Sequence, residues 1–156
     1  MSAICQQGWI IERTLADAHH QSVVAAVRIV SAMAPRKKVL LVEDEAMIAV
    51  FLEGVLTEAG FETATAYGGA AALDLLASAF PRFDAVITDI HLPGTVSGWD
   101  IARRSREISA ATGVIFMTGD TVSAADKGMI EGSVLHQKPT LAADLIASVE
   151  MIVPRD

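Results

Sequence analysis

The chain has 156 residues, of which 52% are hydrophobic, and its formal net charge is −7. This length and hydrophobic content are typical of one globular domain with a short appendage and argue against a disordered chain. The acidic balance argues against nucleic-acid binding by general electrostatics, and no apolar run approaches the roughly 18–20 residues of a membrane span. The single cysteine, Cys5, cannot form an internal disulfide, so we expect a cytoplasmic location.

The N-terminal segment differs from the rest of the chain. Its apolar residues fall at roughly helical spacing between Leu15 and Val30, which predicts an amphipathic helix, and Pro35 marks a boundary. We therefore predict a helical extension over residues 1–36 and a second domain over residues 37–156. Two roles of the extension stay open, since it could form a homodimer or cap the domain. A third interpretation places the true start of translation at Met33.

From residue 37 onward, short apolar runs alternate with segments of helical period. Strands are predicted over residues 39–42, 61–66, 85–88, 114–117 and 132–136. Helical segments follow them, and the one over residues 122–130 is short and weakly patterned. Five such strand–helix units in series predict an α/β fold with a parallel sheet, right-handed crossovers and helices on both faces.

Four of the apolar runs end in polar residues that are capable of chemistry. Glu43 and Asp44 follow the first, Asp89 ends the third, Thr118 follows the fourth and Lys138 follows the fifth. The carboxyl ends of parallel strands meet at one edge of an open sheet, where such folds place their sites. Three carboxylates there repel each other unless a cation is present, and hard oxygen ligands suit Mg²⁺. The sequence therefore predicts a magnesium site at this edge.

The same residues predict phosphoryl chemistry. An ammonium from Lys138 keeps a neighbouring carboxylate ionised, and an ionised Asp89 beside Mg²⁺ is a competent nucleophile toward a phosphoryl group. The metal and Lys138 would offset charge on the equatorial oxygens in the transition state, with Thr118 as a hydroxyl donor. The predicted product is an aspartyl phosphate.

The motifs around these residues resemble those of the receiver domains of two-component response regulators, in particular stand-alone receivers of the chemotaxis type. The resemblance covers about residues 37–152. Its matching pieces are the segment Val39-Leu40-Leu41-Val42-Glu43-Asp44-Glu45, Asp89 with Leu92-Pro93-Gly94, Gly98, Thr118-Gly119 and Lys138-Pro139. It implies a flavodoxin-like doubly wound sheet of five strands in the order 2-1-3-4-5.

The resemblance also implies roles for the residues at the strand ends. Glu43 and Asp44 would bind Mg²⁺, and the main-chain carbonyl of His91 would complete the protein ligands. Asp89 would both ligate the metal and accept the phosphoryl group from a histidine kinase or a histidine phosphotransfer protein. Thr118 would be the switch hydroxyl.

Further implications concern Lys138 and the switch. Lys138 would pair with the phosphoryl group, and its bond to Pro139 is commonly cis in this family. Three features depart from the family pattern. The loop Gly94-Thr95-Val96-Ser97-Gly98 is one residue longer than the usual form. Leu135 stands where the family has a switch aromatic, and the segment between Thr118 and Lys138 is about two residues short.

We predict a stand-alone receiver that is not an enzyme and that signals through contact with a downstream protein. One rival is a receiver that binds partners without phosphorylation, motivated by Leu135 and by the shortened segment before Lys138. A second rival is a Mg²⁺-dependent phosphohydrolase, which would need an aspartate two residues after Asp89, where this chain has His91. His91 and Asp120 follow Asp89 and Thr118 by two residues, and they either face the phosphoryl group or are solvated.

Overall fold

A computed structural model of the chain describes residues 36–79, 82–120 and 129–153. The predicted N-terminal helix lies outside these ranges, as does most of the weakly patterned segment over residues 122–130. In the described part of the chain, no helix has both the length and the apolar character that a membrane span requires.

Strands and helices alternate along the described residues as the sequence predicts, except between the last two strands, where most of the intervening segment lies outside the described ranges. The strands are β1 (Lys38–Val42), β2 (Glu62–Ala66), β3 (Ala85–Asp89), β4 (Gly113–Thr118) and β5 (Val134–Gln137). The helices are α1 (Ala46–Glu58), α2 (Gly69–Ser78), α3 (Gly98–Ile108) and α4 (Ala142–Ile152). The predicted start of β5 at residue 132 is wrong. Gly132 has φ +73°, a left-handed conformation that belongs to a turn, so the strand begins two residues later.

The five strands form one parallel sheet in the order β2-β1-β3-β4-β5, which confirms the predicted flavodoxin-like arrangement. Strand β2 is more polar in sequence than the other strands. It lies at an edge of the sheet, and most of its residues are only partly buried. The central strands β3 and β4 are buried at every position. Near-continuous apolar strands are what burial on both faces of a parallel sheet requires.

Helices cover both faces of the sheet. Successive side chains of a strand point to opposite faces, so each strand contributes to two cores. On one face, α1 and α4 pack over a cluster that includes Leu41 and Ile87. On the other face, α2 and α3 pack over clusters that include Val86 and Phe116. This double coverage leaves the carboxyl edge of the sheet as the place where strand-end side chains can meet.

Helix α3 begins with a capping box. The Ser97 hydroxyl accepts a hydrogen bond from the Asp100 main-chain N–H at 3.4 Å, and the Asp100 carboxylate accepts one from the Ser97 N–H at 2.9 Å. Hydrogen bonds from the Ser97 side chain and main chain hold the pKa of Asp100 below its usual value. The box fixes the residue at which α3 starts, and α3 starts directly beside the end of β3.

Gly98, the first residue of α3, lies against the main chain of β3. Its N–H donates to the Ile90 carbonyl at 3.1 Å. A Cβ at this position would lie 2.2 Å from the Asp89 carbonyl oxygen and 2.9 Å from the Ile90 Cα, both closer than carbon can approach. Only glycine therefore allows the helix to begin this close to Asp89.

We predict that Ser97→Ala lowers the free energy of unfolding by about 1 kcal/mol. The Asp100 N–H would lose its side-chain acceptor, and the Asp100 carboxylate would lose the hydrogen bond from the Ser97 hydroxyl. Denaturant unfolding followed by circular dichroism measures the change. The matched control is Ser78→Ala at the exposed end of α2, where the hydroxyl bonds only to preceding carbonyls of its own helix. Equal losses in the two variants would show that the capping box contributes nothing.

We predict that Gly98→Ala lowers the free energy of unfolding by about 1–3 kcal/mol, the usual range for an overpacked site. The control is Gly54→Ala on α1, where a Cβ meets nothing within 4 Å. That change should raise stability by about 0.5–1 kcal/mol, since glycine is a poor residue for a helix interior. Both are read from the same denaturant titration, and a stable Gly98→Ala protein would contradict the packing argument.

Candidate functional site

Four strand ends bring the predicted site residues to one edge of the sheet. Glu43 directly follows β1, and its N–H donates to the Ala66 carbonyl of β2 at 3.1 Å. Asp89 is the last residue of β3 and Thr118 the last of β4. Lys138 follows β5, and its N–H donates to the Thr118 carbonyl at 2.7 Å. Main-chain hydrogen bonds therefore fix the position of each of these residues along the strand direction.

The Lys138 ammonium bridges two buried carboxylates. It donates to Glu43 Oε2 at 2.7 Å and to Asp89 Oδ2 at 2.5 Å. The Glu43 side chain is fully buried, the Asp89 side chain is 11% exposed and that of Lys138 is 19% exposed. Burial alone would lower the pKa of Lys138, but the hydrogen bonds to Asp89 and Glu43 outweigh it and hold the pKa above its usual value. The ammonium thus stays charged and compensates the two acids.

Main-chain groups satisfy the remaining carboxylate oxygens. Asp89 Oδ1 accepts from the His91 N–H at 2.9 Å, and Glu43 Oε1 accepts from the Glu45 N–H at 3.3 Å. Each buried acid therefore divides its oxygens between one ammonium and one main-chain donor. This is the fully hydrogen-bonded state that a buried charge requires.

The acids at this edge fit a divalent cation. Oxygen atoms of Glu43, Asp44 and Asp89 lie within 4.8 Å of one another, and Asp44 is exposed while the other two are buried. With these groups ionised, the three carboxylates exceed the charge of the Lys138 ammonium by two. Mg²⁺ would balance that excess, and it prefers such carboxylate oxygens while keeping several waters on its open side. Participation of the His91 carbonyl stays a prediction.

Thr118 and the two loop residues complete the edge. Thr118 is fully buried, and its hydroxyl accepts a hydrogen bond from the Asp120 N–H at 3.0 Å. The His91 Nε2 lies 3.5 Å from Asp120 Oδ2, with both side chains about two-thirds exposed. The switch role of Thr118 stays a prediction. The contact between His91 and Asp120 was not predicted, although each residue was noted as lying two positions after a site residue.

Leu135 lies in an apolar cluster beside this edge. It pairs in register with Phe116, and it packs in the cluster that contains Phe116 and Trp99. The rings of Trp99 and Phe116 have centroids 4.3 Å apart and planes tilted by 53°. Trp99 is therefore a packing residue. The Lys138–Pro139 peptide bond is cis, as the resemblance implies.

Comparison with known proteins identifies the family. Residues 39–150 match the family described as the response regulator receiver domain. The probable transcriptional regulatory protein SilR of Salmonella typhimurium is 36% identical over 120 residues, which cover 76% of this chain and 51% of SilR. Transcriptional regulatory protein CusR of Escherichia coli K12 is 34% identical, with coverage of 76% and 52%. This chain thus spans about half the length of the curated relatives it matches.

Solved structures give the same result. A response regulator receiver protein from Sinorhizobium medicae superposes with a TM-score of 0.72 at 30% identity, covering 76% of this chain and 94% of that one. Response regulator protein TrrA of Thermotoga maritima, solved in complex with Mg²⁺-BeF, has a TM-score of 0.66 at 29% identity, with coverage of 74% and 98%. The predicted resemblance is confirmed: this chain belongs to the response regulator receiver family of two-component signalling.

Proposed function

We propose that this receiver accepts a phosphoryl group on Asp89 from a phosphohistidine of a histidine kinase or phosphotransfer protein. The observation that carries the proposal is the Asp89 carboxylate itself. It is nearly buried, yet it accepts a hydrogen bond from the Lys138 ammonium at 2.5 Å and lies beside Glu43 and Asp44. A structural aspartate at a strand end needs neither the ammonium nor the neighbouring acids, whereas a phosphoryl acceptor uses both.

The site residues divide the work of phosphoryl transfer. One Asp89 oxygen forms a bond to phosphorus while the bond from phosphorus to the donor imidazole nitrogen breaks, and the leaving imidazole retains that electron pair. Lys138 exchanges part of its contact with the carboxylate for a contact with a phosphoryl oxygen. The Thr118 hydroxyl donates to another phosphoryl oxygen. Glu43, Asp44 and Asp89 would hold Mg²⁺, which supplies charge stabilisation of the phosphoryl oxygens.

The output of this domain is contact with another protein, in our proposal. Phosphorylation shifts an existing equilibrium toward a conformation that a downstream partner binds better. The related SilR and CusR are transcriptional regulatory proteins by name, and they extend beyond the half that this chain matches. Stand-alone action, a cytoplasmic location and the absence of nucleic-acid contact stay predictions.

Two rivals are less well supported. An aspartyl phosphohydrolase requires a second acid two residues after the nucleophile. This chain has His91 at that position, and its side chain contacts Asp120. A receiver that works without phosphorylation has no need to keep the acceptor aspartate in contact with an ammonium. Here Glu43, Asp89 and Lys138 are joined by short hydrogen bonds at the predicted edge.

We predict that incubation with acetyl phosphate and Mg²⁺ adds one phosphoryl group to the wild-type protein, detected by intact mass. Asp89→Asn should show no adduct, because an amide oxygen is a poor nucleophile toward phosphorus. Asp74→Asn, which removes an exposed carboxylate on α2, should be phosphorylated like the wild type. Chelation of the metal should abolish the adduct. An adduct of equal yield on Asp89→Asn would show that another residue accepts the phosphoryl group and would contradict the proposal.

We predict that Mg²⁺ raises the thermal unfolding midpoint of the wild type in a saturable way, because only the folded state assembles the three carboxylates. Asp44→Asn should raise the Mg²⁺ concentration that gives half of this effect by about tenfold or more. Loss of even a residue that only contacts a metal ligand typically weakens metal binding by that factor. The exposed position of Asp44 keeps this change from disturbing the core. Asp74→Asn is again the control, and unaltered Mg²⁺ dependence in Asp44→Asn would remove Asp44 from the ligand set.

A further inference from the structure

Helix α3 contacts the strands of the acceptor and of the lysine at its two opposite ends. Its first residue, Gly98, lies against the main chain of Asp89 at the end of β3. Its last turn carries Arg106, whose guanidinium contacts the turn that leads into β5, the strand that Lys138 follows. Buried residues such as Ile101 hold the helix against the sheet. One helix therefore lies between the end of β3 and the start of β5.

The Arg106 guanidinium holds two main-chain carbonyls at once. Its Nη1 donates to the Ala110 carbonyl at 3.3 Å, and its Nη2 donates to the Glu131 carbonyl at 3.1 Å. Ala110 belongs to the loop after α3, and Glu131 belongs to the turn before β5. A planar guanidinium presents several donors in a fixed fork, which suits it to two such contacts. We name this pair of contacts the Arg106 clasp.

The turn before β5 is tight and lies beside the guanidinium. The Ser133 N–H and hydroxyl both donate to the Ile130 carbonyl, at 2.9 Å and 2.6 Å. Gly132 has φ +73°, and a Cβ on it would lie 3.8 Å from Arg106 Nη2. The clasp and the Ser133 hydroxyl therefore fix the same turn by separate hydrogen bonds.

The register of β5 decides where the Lys138 ammonium lies. Strand β5 is the shortest of the described strands, lies at an edge of the sheet and has no fully buried position. It pairs with β4 so that Gln137 lies beside Thr118, and Lys138 follows directly. Because successive side chains of a strand point to opposite faces, a shift of one residue would turn Lys138 away from Asp89 and Glu43. A fixed start of β5 therefore keeps the ammonium at the two acids.

We propose that the Arg106 clasp positions Lys138 for phosphoryl transfer by holding the turn from which β5 begins. The expected effect on rate rests on the proposed phosphorylation of Asp89. Arg106 is a positioning residue, since its contacts are to main-chain carbonyls and it acts through the turn and the strand. Without the clasp, the ammonium spends less time at Asp89 Oδ2 and Glu43 Oε2, which it contacts at 2.5 Å and 2.7 Å.

Chemical labelling of lysines tests the position of Lys138 without any phosphodonor. An amine reacts with acetic anhydride only in its uncharged form. Burial alone would lower the pKa of Lys138, but the hydrogen bonds to its two acids hold the pKa above its usual value, so the anchored lysine reacts slowly. Brief treatment followed by peptide mass spectrometry gives the labelling rate of each lysine. Lys38, the first residue of β1, is the internal reference.

The wild type is compared with three variants. Arg106→Gln removes the clasp, Ser133→Ala removes the hydroxyl contact in the same turn, and Arg104→Gln is the control, an exposed arginine of α3 that pairs with Glu107. We expect labelling of Lys138 to be about two to ten times faster in Arg106→Gln, the range that one lost hydrogen bond gives. Ser133→Ala should show a smaller increase, and Arg104→Gln should match the wild type. Equal labelling of Lys138 in all four proteins, or an equal rise at the reference lysine, would overturn the clasp.

The rate of phosphorylation tests the consequence for the site. Acetyl phosphate transfers its phosphoryl group to an Asp89 oxygen, and acetate leaves with the electron pair of the broken bond between oxygen and phosphorus. With saturating Mg²⁺, Arg106→Gln should form the adduct about two to ten times more slowly than the wild type. The Mg²⁺ concentration that gives half of the thermal shift should not rise in this variant, because the three carboxylates lie at the ends of β1 and β3.

The two readouts separate failure of the clasp from failure of the proposed function. Equal phosphorylation rates in the wild type and Arg106→Gln would overturn the clasp and leave phosphorylation intact. A slower rate together with a higher Mg²⁺ requirement would show general damage to the site and would overturn the positioning role. No adduct on the wild type would overturn the proposed function, while the labelling rates still decide whether Arg106 positions Lys138. Thermal unfolding checks that each variant is folded, and Ser133→Ala applies the same test if Arg106→Gln is not.

Discussion

The Lys138 ammonium is the interaction on which the site depends. It follows the edge strand β5 and reaches past β4 to acids that lie 49 and 95 residues earlier in the chain. Glu43 is fully buried, and a buried carboxylate without a counter-charge destabilises a protein by several kcal/mol. One side chain therefore links β5, an edge strand with no fully buried position, to the buried ends of β1 and β3.

This arrangement places a charge balance at the carboxyl edge of the sheet. Two acids share one ammonium and two main-chain donors, while Asp44 adds a further negative charge at the solvent side. A phosphoryl group on Asp89 would change that balance, because it brings new negative oxygens to the ammonium. Neighbouring strands and helices would then respond to a change in charge, with no need for a large change in the apolar cores.

Much of the architecture could be predicted from the sequence, for physical reasons. Apolar runs buried on two faces identify β1, β3 and β4, and the polar residues that end them follow from the geometry of parallel sheets. The strand order came from the family resemblance and not from the pattern of residues. The capping box at Ser97 was missed, although a serine followed three residues later by an acid is a known signal. The start of β5 was predicted wrongly because the residue type of Gly132 does not show that its φ is positive.

Contacts between loops could not be predicted in the same way. His91 and Asp120 lie 29 positions apart, and their side chains meet only because β3 and β4 are neighbours whose pairing extends past Asp89. The full burial of Glu43 could not be predicted either. The sequence shows two adjacent acids and gives no reason for Glu43 to be buried and Asp44 exposed. Both features depend on the path of the chain after the strands end.

The main-chain origin of two hydrogen bonds has a consequence for how such a domain can diverge. Asp89 and Thr118 are oriented by the N–H groups of residues 91 and 120, and every residue except proline supplies that donor. The side chains at these two positions are therefore free to vary while the acceptor and the hydroxyl keep their geometry. Different side chains can therefore occupy this part of the surface without changing the main-chain contacts that orient the site.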